Sequence, residues 1–221
     1  MKPRPRSARP TSAALIMVGA AAVVAAIVVA VVHWMSATAP PAAPPKPAAR
    51  EPGGRTRGRA DAPVTVELFS DFLCSHCADF AAEVEPAIIS EFVEPGIVRY
   101  VYRHFPIVSP FSAVAAEASE CAADQQRFWA YHDVLYARAA RRALREPDDL
   151  LAAAKDVGLD EQAFRACMRN GATRARVETD RADGQRRGVE GTPTIFVGDR
   201  KVVGAQPIEV FRGAINAARP R

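Results

Sequence analysis

Twenty uncharged residues in a row, Ala13 to Val32 (AALIMVGAAAVVAAIVVAVV), follow a basic start of Lys2, Arg4, Arg6 and Arg9. As a helix rising about 1.5 Å per residue the run is about 30 Å long, which matches a bilayer core, and it lacks the polar face that a buried core helix keeps. It is therefore predicted to span a membrane over residues 13–35, with residues 1–12 as a cytoplasmic basic tail and Trp34 in the interfacial belt. A cleavable signal is the rival reading, because Ala37 and Ala39 make an A-x-A-like site. The length of the run, the lack of a cysteine placed for lipid attachment and Pro40 just after the site favour a retained, single-pass anchor. Everything after Trp34 is then expected outside the cytosol, in the cell envelope.

Residues 36–60 (SATAPPAAPPKPAAREPGGRTRGRA) hold six prolines and almost no large apolar side chain, so burial cannot offset the entropy of folding them. They are read as a tether that, if mostly polyproline II, could hold a domain up to about 75 Å from the membrane. Charge divides at the same place. Residues 1–60 carry nine Lys or Arg against one acid, a charge of +8, whereas residues 61–221 carry 20 bases against 24 acids, a charge of −4. The basic character of the chain belongs to its N-terminal segment, which argues against a nucleic-acid partner.

Within 61–221 the stretch VTVELFS reads as a strand running up to Asp71. Phe80, Val84, Ile88 and Phe92 then recur every four residues, one apolar stripe on a helix that begins near Cys74. IVRYVYRHF (97–105) reads as a second strand ended by Pro106. From about 109 to 188 the signal is helical, with Phe111, Val114, Ala118 and Cys121 on one face, then Phe128, Trp129, His132, Leu135 and Tyr136, then short helices around Leu150, Phe164 and Val177. TPTIFV, a Gly198-Asp199-Arg200 turn, KVVG and a helix from Pro207 through Ile215 close the chain. Strand, helix, strand, helical block, hairpin and helix make an α/β plan with helices on a small sheet. The aromatic set Phe128, Trp129, Tyr131 and Tyr136 has core spacing and is assigned no site; Arg138, Arg141, Arg142 and Arg145 read as a solvated face.

Cys74-Ser75-His76-Cys77 sits where the first strand gives way to the first helix, and that placement gives a C-x-x-C a redox reading. One helical turn brings the two sulfurs within bridging distance, and the unpaired N–H groups of the helix start favour a thiolate on Cys74. His76 is expected to add positive charge beside that sulfur. A stabilised thiolate leaves readily, so an oxidised Cys74–Cys77 pair should pass its disulfide to a substrate thiol. A zinc half-site lacks partners, because there is no second C-x-x-C and His33, His104 and His132 show no ligand spacing, so no metal is expected. A purely structural bridge across so short a loop would remove little chain entropy.

With those residues in place the chain resembles the DsbA-like branch of the thioredoxin superfamily over about Ala62 to Ile215. Four ordered segments carry the resemblance: FSDFLCSHC, AEASECAADQQRFWAYHDVLY, GLDEQAFRAC and GVEGTPTIFVGDRKVVGAQP. It implies a thioredoxin-like fold with a helical insertion over about 109–188, Cys74 as the exposed nucleophile, Cys77 as its buried partner and Thr192-Pro193 as a cis-proline loop facing them. The residues alone fit an ordinary trans proline opening a strand equally well; the resemblance favours cis. A backbone in such a loop can pair with an extended substrate, and Thr192 would set its hydroxyl near the Cys74 sulfur. Cys121 and Cys167 are expected to form a second, structural disulfide, from the even cysteine count outside the cytosol and from the resemblance. Many relatives carry an acid six residues before the first cysteine that assists proton movement at the buried thiol. Here that position is Leu68, and Glu67 should point to the other face of the strand.

These observations predict a membrane-tethered, monomeric thiol oxidase that forms disulfides in reduced or unfolded exported proteins. No cofactor beyond the redox-active disulfide is implied, and reoxidation would fall to a membrane partner of the DsbB or vitamin K epoxide reductase-like kind. Two rivals stand beside this reading: a reductase or isomerase of the same fold, and a non-enzymatic metal-binding or chaperone-like module.

Overall fold

The computed structural model describes residues 54–220. The expected basic tail, membrane span and first part of the tether, up to residue 53, lie outside the described residues. No helix among the described residues is long and apolar enough to cross a membrane.

Five strands form one sheet in the order β1-β3-β2-β4-β5. They are β1 (Thr56–Arg57), β2 (Val64–Ser70), β3 (Val98–His104), β4 (Thr194–Val197) and β5 (Arg200–Val203). The central strands β2 and β3 are parallel and in register from Val64↔Val98 to Ser70↔His104. β1, β4 and β5 add antiparallel pairings. A parallel pair needs a crossover, and here it is α1 (Ser75–Glu83) with α2 (Glu85–Ile88), extended by one π-helical turn over Ile89–Val93. The apolar stripe predicted one continuous helix. The break at Val84 comes from Pro86, which has no N–H to continue the ladder. The stripe survives the break, for Phe80, Val84, Ile88 and Phe92 are all buried.

Between β3 and β4 run five helices, α3 (Pro110–Asp124), α4 (Phe128–Ala140), α5 (Pro147–Asp156), α6 (Glu161–Asn170) and α7 (Arg174–Arg186), and α8 (Ile208–Ala218) ends the domain. This is the α/β plan with an inserted helical block that the sequence pattern predicts. Alternation along β2 sorts its side chains. Val64, Val66 and Leu68 enter the large core with Tyr100, Tyr102, Ile195 and Phe211, whereas Phe69 joins Phe105, Val189 and Phe196 in a smaller cluster on the opposite face. α7 packs close over that second face: a Cβ on Gly184 would lie 2.7 Å from the Phe105 ring, so only glycine lets the helix approach.

The tether ends earlier than its composition suggests. Thr56 and Arg57 pair with Val101 and Tyr100, and the Arg57 guanidinium lies 4.1 Å over the Trp129 ring. Gly58, at φ +95°, passes so near the Val98 carbonyl that a Cβ would be 2.3 Å away. Residues 54–60 therefore belong to the domain. Composition hid them because their partners, β3 and α4, lie some 40 to 75 residues downstream.

Candidate active site

β2 ends at Ser70, and the chain then turns on Asp71, whose carboxylate is buried. Asp71 Oδ1 accepts the Leu73 N–H at 2.9 Å, and Oδ2 accepts those of Ile107 and Val108 at 2.8 and 2.9 Å. One acid thus fastens the turn before the cysteines to the segment after β3. Cys74 follows in extended backbone (φ −80°, ψ 121°) at the N-cap of α1, so its side chain faces the unpaired N–H groups of the first helical turn.

That position explains its ionisation. The Cys74 thiol is lowered from about 9 to about 6, first by a hydrogen bond from the Cys77 thiol and then, against the cost of half-burial, by Thr192 and the N–H groups of Cys77 and His76. Cys77, 1 % exposed, goes the other way. Burial pushes its thiol far up, the hydrogen bond and negative charge of Cys74 push in the same direction, and Ser70 and the Asp71 N–H oppose them only in part. At neutral pH the pair holds one proton, on Cys77, and one negative charge, on Cys74.

The Thr192-Pro193 bond is cis and faces this pair. With Cys74 as a thiol, its Sγ donates to the Thr192 carbonyl at 3.3 Å; with Cys74 as a thiolate, the Thr192 side chain helps to hold the charge. His76 differs from expectation. Its ring is 76 % exposed, with Nδ1 3.7 Å from Asp79 Oδ2, and what it brings to the sulfur is its backbone N–H, because the second residue of a helix points its amide at the cap and its side chain outward. Leu68 is buried in the same core as Cys77, and Glu67 lies on the opposite face, paired with Arg103 at 2.9 Å and Arg187 at 2.8 Å, as strand alternation predicts. Cys121 and Cys167 are joined by a disulfide (S–S 2.02 Å, Cα–Cα 5.8 Å) that ties α3 to α6, away from the reactive pair in sequence and set among helices.

Sequence reasoning missed the polar groups behind Cys77. Ser70 Oγ and the Tyr136 hydroxyl are 2.6 Å apart, the Tyr136 and Tyr102 hydroxyls 3.0 Å, and all three residues are buried. The ring of Tyr136 is core, as its spacing predicts, while its hydroxyl bonds those of Ser70 and Tyr102. A serine at the end of the strand, four residues before Cys74 and two after the core-facing Leu68, was the available signal. Also missed was Glu85, a buried acid at the start of α2, whose carboxyl is pushed up by burial, partly opposed by His132 and Arg57.

Comparison with known proteins agrees with this geometry. Residues 50–217 match a thioredoxin family model. A Na(+)/H(+) antiporter NhaA 1 of Salinispora arenicola is 40% identical over 166 residues, 73% of this chain but 24% of the antiporter, so the chain spans about a quarter of that relative's length. Disulfide bond formation protein D of Bacillus subtilis is 27% identical over 166 residues, covering 66% of this chain and 68% of that one. The crystal structure of oxidised BdbD from Bacillus subtilis superposes with a TM-score of 0.69 at 24% identity, over 78% of this chain and 96% of that one. With the family match extending over most of the chain, this protein belongs to the thioredoxin family, and it shares the fold of BdbD.

Proposed function

We propose that the domain is an extracytoplasmic oxidase that introduces disulfides into exported proteins through Cys74 and Cys77. The carrying observation is the opposed ionisation of the two thiols, which makes Cys74 a good leaving group and Cys77 a ready proton acceptor. A substrate thiolate attacks Cys74 Sγ of the oxidised pair, the Cys74–Cys77 bond breaks, and its electrons go to Cys77, which takes a proton. A second substrate thiolate then attacks the substrate sulfur of the mixed disulfide and displaces the Cys74 thiolate. The substrate loses two electrons and the enzyme gains them.

The Thr192-Pro193 loop would align an extended substrate beside Cys74 through its backbone, which suits reduced or unfolded chains. The Cys121–Cys167 bridge serves stability, not exchange. Residues 13–35 would anchor the domain as a single-pass helix with residues 1–12 in the cytoplasm, and the chain from 36 to about 53 would be the tether. A matching domain inside a much longer Na(+)/H(+) antiporter chain supports work at a membrane, and the name of the Bacillus protein supports the oxidising direction. Two electrons per turnover must leave the reduced pair, which calls for a membrane reoxidase of the DsbB or vitamin K epoxide reductase-like type. The test is the potential of the pair, equilibrated against glutathione in the intact protein. A value between about −120 and −180 mV is expected, and one near about −270 mV would mark a reductant and overturn the oxidase reading.

A further inference from the structure

Every exchange cycle moves a proton onto or off Cys77, a thiol 1 % exposed to solvent. Leu68, in the same core, offers no proton and accepts none. Beside Cys74 and the Asp71 N–H, the Ser70 hydroxyl acts on the Cys77 thiol, and it is itself paired with the Tyr136 hydroxyl at 2.6 Å. Tyr136 also lines a cavity of about 480 Å³ between the crossover helices and α4. Ala78, Ala81, Ala82 and Glu85 form its other wall at helical spacing, and the small alanines leave it open. Glu85 is 4 % exposed, and its Oε1 has no hydrogen-bond partner among the described residues. Facing its carboxyl are His132 from α4, with Nε2 3.5 Å from Oε2, and Tyr100 from β3, Arg57 from β1 and Asp133 from α4.

We infer that Ser70 and Tyr136 carry the proton between Cys77 and solvent in this cavity, with Glu85 as the acid and base at its far side. This rests on the exchange chemistry proposed above. When Cys77 acts as nucleophile, its S–H proton passes to Ser70 Oγ, the Ser70 proton passes to the Tyr136 oxygen, and the Tyr136 proton passes through cavity water to the Glu85 carboxylate. The Cys77 thiolate then attacks Cys74 Sγ. When Cys77 leaves as a thiolate the same protons move in reverse. No net charge accumulates on either hydroxyl, and the buried thiol needs no direct opening to solvent. Ser70 is the catalytic group, since it touches the reacting sulfur; Tyr136 and Glu85 act through it as positioning residues.

The test follows ring closure in the full-length protein. Cys74 is first converted to its mixed disulfide with 5-thio-2-nitrobenzoate, and the coloured thiolate released as Cys77 attacks is timed by stopped flow across pH 5 to 9. Ser70→Ala, Tyr136→Phe and Glu85→Gln are each expected to slow release at pH 7 about tenfold or more, the scale of general acid–base assistance. Added imidazole is expected to restore the Tyr136→Phe rate, which a merely structural loss would not allow. Release by Ser70→Ala or Tyr136→Phe within twofold of the parent overturns the relay, and the same result for Glu85→Gln overturns its far end. Failure of the parent itself to release the thiolate would instead remove the exchange reading. Tyr136→Phe and Glu85→Gln keep the shape of the side chains, so the proposal stays testable if Ser70→Ala fails to fold.

Discussion

Cys74 and Cys77 are the same residue type three positions apart, yet one ionises near pH 6 and the other is held protonated. Exposure and donors make the difference: Cys74 sits half-buried where a helix opens its amides, and Cys77 lies inside the core and gives its proton's hydrogen bond to Cys74. Because that hydrogen bond is the largest influence on Cys74, Cys77→Ala is expected to move the Cys74 midpoint up from about 6 toward the ordinary value near 9, measured as the pH dependence of iodoacetamide alkylation. An unmoved midpoint would mean that the helix amides alone hold the thiolate. The sign for stability follows: Cys74 is depressed in the fold, so its contribution to the reduced protein is fully present above about pH 9 and is lost as pH falls through about 6. The cysteine pair was legible because spacing and position on a strand-to-helix boundary are local facts. The Ser70–Tyr136 contact was not, since it joins residues 66 apart and only the packed fold brings the two hydroxyls together. His76 shows the limit of spacing: sequence gave it a place beside the sulfur but not which of its atoms would face it.

At the level of elements, α3 and α6 are joined by the Cys121–Cys167 bridge across a separation of 46 residues. Closing a loop of that length removes unfolded-state entropy worth about 4 kcal/mol in the chain-entropy model. Replacing both cysteines by serine is expected to lower the urea unfolding free energy by about 2–4 kcal/mol and to leave ring closure at Cys74–Cys77 within twofold of the parent, because the bridge ties two insertion helices, α3 and α6. A collapse of exchange with stability retained would give the bridge a role in the site. The strands β2 and β3 were readable because Val64, Val66 and Leu68, and Val98, Tyr100 and Tyr102, recur at every second position, and the helices α3 and α4 because their apolar residues repeat at helical spacing. The interruption at Pro86 and the two-residue strand β1 were not readable in the same way. A proline inside a well-spaced stripe and a Thr-Arg pair amid glycines and arginines take their roles from neighbours that the periodic pattern does not include. Sheet order escaped too, because β4 pairs with β2 across the whole insertion.

Across the whole molecule, the start of the domain is held by charge as well as by pairing. Arg55 lies beside Glu120 of α3 (Nε–Oε1 2.7 Å) and bonds Asp180 of α7, while His104 and Arg176 also reach Glu120, at 2.9 and 3.0 Å. Burial alone would raise the Glu120 carboxyl, but the His104 hydrogen bond and charge, with Arg55 and Arg176, outweigh it and hold the group at about 2. A carboxyl depressed in the fold contributes stability above its unfolded value, about 4.5, and loses it as pH falls toward 2. Arg55→Met keeps the stem and removes the charge, leaving two buried carboxylates short of a partner. Unpairing a buried ion costs about 3–5 kcal/mol, and the low end is expected because Glu120 retains His104 and Arg176 and Asp180 retains Arg103. Urea titrations at pH 7 should therefore show a loss of about 3 kcal/mol, and the variant's stability should fall less steeply than the parent's between about pH 4.5 and 2. Parallel acid profiles, offset or not, would mean that Arg55 does not set the Glu120 titration and that β1 pairing alone secures the N-terminal edge. The same network gives α7 its seat over the second face of the sheet, so a segment that composition assigned to the tether helps to position the helix ending just before the Thr192-Pro193 loop.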